Sequence, residues 1–88
     1  MARFRPLTTE VAAPTTAGAA ITVGDANVVR AVNTAATAAL ITVVDAAGAT
    51  VGTFTAMPGS ENFIDKPKTY KVFAAAATVL LTSVSYPI

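Results

Sequence analysis

The groups in this chain that could do chemistry are five carboxylates, Glu10, Asp25, Asp45, Glu61 and Asp65, and six cations. Carboxylates hydrolyse glycosides when two of them face each other across a cleft, and they hold calcium when roughly six to eight oxygens converge. The spacing here suggests neither. Asp25, Asp45 and Glu61 lie in or beside turns built from glycine or Pro-Gly, where a carboxylate accepts backbone N–H groups. There is no histidine and no cysteine. That removes structural zinc, disulfides, thiol nucleophiles and imidazole bases together. The serines and threonines are left without an activating base. No phosphate-cradling glycine loop is present either, because Gly18 and Gly24 stand alone. The expectation is a protein that is not an enzyme and carries no cofactor and no metal.

Most of the cations fall into two groups. Arg3, Phe4, Arg5 and Pro6 combine charge, an aromatic ring and a helix breaker near the start of the sequence. Arginine and aromatics are common interface anchors, so these four are candidate protein-contact residues. Lys66, Lys68 and Lys71 surround Pro67, with Tyr70 close by. Basic groups beside a stacking ring suit single-stranded nucleic acid. Three lysines make a weak footprint for that purpose, and nucleic acid is an unlikely partner. Lysines at a sheet edge discourage unwanted strand pairing, so Lys66, Lys68 and Tyr70 read as a solvated edge and a possible interface.

The elements that must position these groups are short. The chain has 88 residues, of which 53% are apolar and 12% charged, with a net charge of +1. An ordinary domain carries about 25% charged residues. A chain of this length buries only about 60–65% of its unfolded surface. Small domains usually compensate with disulfides, a metal or oligomerisation. With the first two excluded, association with copies of itself or with a partner is the expected source of stability. It would also cover a surface with little charge. The alternative is that alanine inflates the apolar fraction without adding strong hydrophobicity. The first residues lack the apolar core of a signal peptide, and no apolar run is long enough to span a membrane. The chain reads as one made in the cytoplasm.

Residues 39–44 (ALITVV) and 50–55 (TVGTFT) are β-prone runs separated by Asp45 and Gly48, the signature of a hairpin. The first run is apolar on both parities, as in a central strand. Gly52 marks a bulge or a close backbone approach. Further strands are expected over 19–23, 27–33, 61–66, 69–74 and 78–86, with a firm break at Pro58 and Gly59. In 27–33 neither parity is clearly the buried one, since Val28, Arg30 and Val32 alternate with Val29, Ala31 and Asn33. In the last run Leu80 is expected in the core. About seven short strands at turn-punctuated spacings predict an all-β fold, a small antiparallel sandwich or barrel. Residues 1–18, rich in Thr and Pro, are expected to form an extended N-terminal arm, and 19–88 the β-sandwich domain. Such an arm either frays or lies on a neighbour.

The segments 28–33 (VVRAVN), 41–48 (ITVVDAAG), Met57-Pro58-Gly59, 63–67 (FIDKP) and 80–86 (LLTSVSY) together resemble small virion proteins of tailed bacteriophages. In those proteins a strand, a D-x-x-G turn, a strand, a P-G turn and an F-I-x-K-P strand follow one another. The resemblance covers residues 27–86. It implies a structural component of the virion, first a capsid decoration (cement) protein. The partner would then be the major capsid protein, and the protein a homo-oligomer, typically a trimer. The same resemblance also allows a head–tail adaptor, a tail or a fibre component. It carries over no catalytic residue. A small carbohydrate- or nucleic-acid-binding β-module is the alternative from another class.

Overall fold

The computed structural model of the protein describes residues 5–85. Its eight strands form two antiparallel sheets that face each other across one core. The first sheet contains β1 (Arg5–Pro6), β2 (Val11–Ala12), β3 (Val28–Asn33), β6 (Glu61–Asp65) and β8 (Val79–Ser85). The second contains β4 (Ala39–Val44), β5 (Thr50–Ala56) and β7 (Lys71–Ala74). In the first sheet the order is β6, β3, β8, with β1 and β2 both along the far side of β8. In the second it is β5, β4, β7. This is the β-sandwich-like fold expected from the strand pattern.

The hairpin of β4 and β5 forms by local chemistry. The Asp45 carboxylate accepts the N–H groups of Ala47 and Ala49, each at 2.9 Å. The Asp45 carbonyl accepts the Gly48 N–H at 3.0 Å. Gly48 has φ +93°, a conformation that costs glycine little and other residues more. Beyond the turn the register shifts between Val43, opposite Gly52, and Val44, opposite Thr50. Val51 is therefore the extra residue of a bulge, beside the glycine that signalled it.

Alternation decides the core. Val29, Ala31 and Asn33 of β3 point inward and are fully buried, while Val28, Arg30 and Val32 are half-buried on the outer face. Buried beside them lie Val79 and Leu81 of β8, Ala39 and Ile41 of β4, Val72 and Ala74 of β7, Ile64 and Ala56. Leu80 is not a core residue: it pairs with Val32 on the outer face, and its neighbour Leu81 is the buried one. Period-2 geometry admits only one of two adjacent residues to the interior, and the sequence offered two leucines. Six core members are alanines: Ala13, Ala26, Ala31, Ala39, Ala56 and Ala74. Each loses no rotamer freedom on burial but removes little apolar surface from water.

Asn33 is a fully buried polar residue with its hydrogen bonds made. Its amide nitrogen donates to the carbonyls of Ala56 at 3.0 Å and Thr37 at 2.9 Å, and its side-chain oxygen accepts from Ala35 N–H at 3.1 Å. It ties β3 of one sheet to the end of β5 in the other. On the opposite side of the sandwich, Ala74 N–H donates to Pro14 carbonyl, so the chain leaving β2 runs onto β7.

Two expectations about the early chain are corrected here. Residues 5–18 are not an arm detached from the domain. Arg5 pairs with Ser85 and Val11 with Leu81, and Ala13 is in the core. Residues 19–23 do not form a strand either. A 3-10 turn, Ala17–Ala19, leads to a single bridge between Ile21 and Val72. Both differences have one cause. These segments are held by partners some 50 to 80 positions away, and their own composition favours irregular backbone.

Candidate functional site

Arg3 and Phe4 lie outside the described residues. Arg5 and Pro6 form β1 and are exposed. Lys68 is exposed in the turn after β6, and Tyr70 is half-buried, its N–H donating to the Pro67 carbonyl at 3.1 Å. The first group lies on β1 at one edge of the first sheet, and Lys68 and Tyr70 lie in the connection from β6, at the other edge, to β7 of the second sheet. Stepping across it, Arg5 pairs with Ser85, Ser83 with Val29, and Val28 with Asp65. β1 and β6 are therefore three strand spacings apart, about 14 Å across the sheet, with Arg5 and Asp65 at the same end of the strands. The fold does not merge the two groups into one site.

Lys66 is a correction. Read as part of a solvated edge, it is 4% exposed. Its Nζ donates to the Ala26 carbonyl at 2.8 Å. Its N–H donates to the Asn27 carbonyl at 2.9 Å, and its own carbonyl accepts from Asn27 Nδ2 at 3.3 Å. Burial pulls the Lys66 ammonium below the ordinary lysine pKa, and the nearby Asp25 carboxylate opposes that shift. The basic patch imagined around Pro67 thus loses its first lysine to the interior.

What Lys66 fastens is an unusual corner. Val23, Gly24 and Asp25 all have positive φ, at +58°, +67° and +56°. The Ala26 N–H reaches back to the Thr22 carbonyl at 3.2 Å, and the Asp25 N–H to Thr22 Oγ1 at 3.1 Å. This is a single turn of left-handed backbone, which costs an L-residue about 1–2 kcal/mol per position. Valine suits it especially poorly, being β-branched. Glycine is required at the centre: a Cβ on Gly24 would meet Thr8 Cγ2 at 2.8 Å. Strain of this kind persists only where surroundings enforce it. Here buried Val23, the Lys66 amine and the Thr8 contact do so.

The corner forms one wall of a cleft of about 400 Å³, with Leu7, Thr8, Asn27, Ser83 and Ser85 among its lining. Thr8 Oγ1 accepts the Ser83 N–H at 3.1 Å. Among the described residues, no hydroxyl of this cleft is hydrogen-bonded to a carboxylate or an amine, and no three acidic residues cluster as they would around a metal ion. The cleft offers contact and hydrogen bonding, with no nucleophile and base in register.

On the outer face of the first sheet, Arg30 bridges Glu61 through Nε and Glu10 through Nη1, the latter at 3.2 Å. Thr82 Oγ1 also donates to Glu10, at 3.4 Å. This network spans β8 and pins the segment between β1 and β2. Half-exposed ion pairs contribute modestly, about 0–1 kcal/mol each.

Among the described residues, the large exposed apolar side chains lie on two parts of the fold that sequence reading did not single out. Leu7 and Val11, 57% and 40% exposed, flank the β1–β2 edge. Leu40, Val51 and Met57, 46%, 55% and 59% exposed, lie on and beside the β4–β5 hairpin. The Pro14–Ala74 and Asn33–Ala56 bonds place these groups on opposite sides of the sandwich. The available signal was apolar residues of the wrong parity, such as Leu40 beside Ile41. Comparison with protein-family models, with curated proteins and with solved structures finds no match for this chain.

Proposed function

We propose that the protein is a non-enzymatic structural component of a virion, a capsid decoration protein that staples neighbouring copies of the major capsid protein. The observation that carries this reading is the pair of exposed apolar regions on opposite sides of the sandwich. A staple needs two contact surfaces, and exposed apolar side chains on two sides of the fold offer the places where partners would be met. The low charge of the chain and the segment pattern over 27–86 point the same way. An adaptor, tail or fibre role draws on the same features. A nucleic-acid module is supported less well, since Lys66 is withdrawn from the surface.

The test is the copy number of the protein in purified particles, by quantitative mass spectrometry against the major capsid protein. Decoration requires a count that follows the capsid lattice. A count that follows the single tail vertex would move the protein to the neck or tail, and absence from particles would overturn the virion reading.

A further inference from the structure

Among the described residues, three of the four sheet edges are protected against pairing with another chain, and one is not. β6 carries Glu61 and Asp65 and runs into Lys66 and Pro67. The outer side of β7 is occupied: Val72 exchanges backbone bonds with Ile21, and Ala74 donates to Pro14. β1 and β2 are two residues each, and β1 contains Pro6. β5 differs in every respect. It is seven residues long, uncharged and free of proline. Among the described residues nothing but β4 pairs with it. Charges, proline, short length and covering segments are the usual protections of an edge, and β5 has only the bulge at Val51, near one end.

The backbone phase shows which groups β5 presents. The Leu40 carbonyl accepts the Ala75 N–H, so Leu40, Thr42 and Val44 bond toward β7, and Ala39, Ile41 and Val43 bond toward β5. Their partners Gly52, Phe54 and Ala56 therefore spend their backbone groups on β4. Thr53 and Thr55 direct theirs outward.

We propose that β5 pairs with β5 of a second copy of this chain, antiparallel, about a two-fold axis through Thr53. In that register Thr53 exchanges both backbone hydrogen bonds with its own copy, a threonine–threonine pair of the kind that stabilises antiparallel sheets. Gly52 lies opposite Phe54 of the other copy, whose ring covers the gap the glycine leaves. Exposed Val51 comes opposite Thr55, next to Leu40 on the same outer face. A second copy is the occupant because the strand is its own complement. It carries no charge to oppose itself across the axis, and an isologous two-fold contact closes instead of propagating. The bulge at Val51 limits the pairing to a few residues, which makes the association weak and dependent on concentration. This pairing is two-fold, unlike the trimer that the virion resemblance implies, and it stands whether or not the virion reading does.

The experiment is light scattering of the full chain from about 1 μM to 1 mM, the range in which weak contacts declare themselves. The mass should rise from monomer to dimer. Thr53→Lys places like charges on the axis and should hold the mass at monomer with an unchanged circular dichroism spectrum. Should that variant not fold, single cysteines decide, since the chain has none of its own. Thr53→Cys should crosslink under mild oxidation. Thr55→Cys should not, because its sulfurs would be separated by four residue steps, about 13 Å, beyond the roughly 7 Å limit for a disulfide. A wild-type chain that stays monomeric overturns the proposal, including the case where β5 serves a strand from another protein. So does a Thr53→Lys dimer, or a Thr55→Cys variant that crosslinks as readily as Thr53→Cys.

Discussion

Two of the chain's reversals are made by opposite means. At Asp45 to Gly48 the turn supplies its own bonds: one carboxylate, two backbone amides and one glycine, all within five positions. At Val23 to Asp25 the backbone is driven left-handed through three residues, two of them not glycine, and is held by Lys66 from 40 positions away. The first reversal is specified by its own few residues. The second exists only inside this fold. A turn written in local chemistry shapes the chain, whereas a turn held by remote contacts is shaped by it.

That contrast can be broken most sharply at Gly24. Gly24→Ala forces an alanine into positive φ and against Thr8, which cannot rotate away without releasing its bond to Ser83. Strain and overpacking together should cost about 2–4 kcal/mol in urea unfolding. A loss well under 1 kcal/mol would mean that the corner relaxes freely and is no more demanding than the hairpin. Next comes Lys66→Met, which keeps the apolar stem but leaves the Ala26 carbonyl unpaired. It should destabilise by about 1–3 kcal/mol. It should also speed amide exchange at Ala26, with little change at Ala49 in the hairpin.

Asp45→Ala is the matching test on the other side. It removes two exposed hydrogen bonds and should cost about 1 kcal/mol. A larger loss than that of Lys66→Met would reverse the ranking proposed here. The smallest effect is in pH. Because burial lowers the Lys66 pKa, the folded chain binds fewer protons than the unfolded chain between that lowered value and the ordinary 10.5. Unfolding free energy contributed by this group therefore rises with pH through that window, and the cost of charging it is fully present below the window. Wild type should gain stability on Lys66→Met as pH climbs toward 10.5, and parallel pH curves for the two proteins would show that the lysine titrates alike in both states.

The same contrast explains what sequence reading could reach. The hairpin was legible because Asp45 and Gly48 carry their purpose in their spacing, and Gly52 announced the bulge. The sandwich was legible from the recurrence of β-branched runs and turns. Lys66 was not, because nothing local distinguishes a lysine that caps a distant carbonyl from one that solvates an edge. Nor was the inward face of β3, where a buried asparagine replaces the expected apolar residue. Asn33 is chosen for its bonds to Thr37 in the following loop and to Ala56, 23 positions away on the other sheet. The segment 5–12 failed for a related reason: its pairing with β8 is invisible until the far end of the chain is in place. The apolar groups around Leu7 and Leu40 were visible only as surplus hydrophobicity without a parity to absorb it.

The position of β8 has a consequence for how the molecule is made. It lies between β3 and the β1–β2 edge, so the first sheet lacks its middle until residue 85 has been synthesised. The second sheet needs nothing beyond β7 and has a hairpin to start from. A nascent chain that ends before residue 79 has the strands of the second sheet and the β3–β6 pair, but lacks the strand that joins β3 to the β1–β2 edge and brings Val79 and Leu81 to the core. Non-local pairing of this kind is slow to form, and exposed strands aggregate while they wait. The interval between the emergence of β7 and that of β8 is therefore when the chain is most exposed to capture, by a chaperone or by another nascent copy.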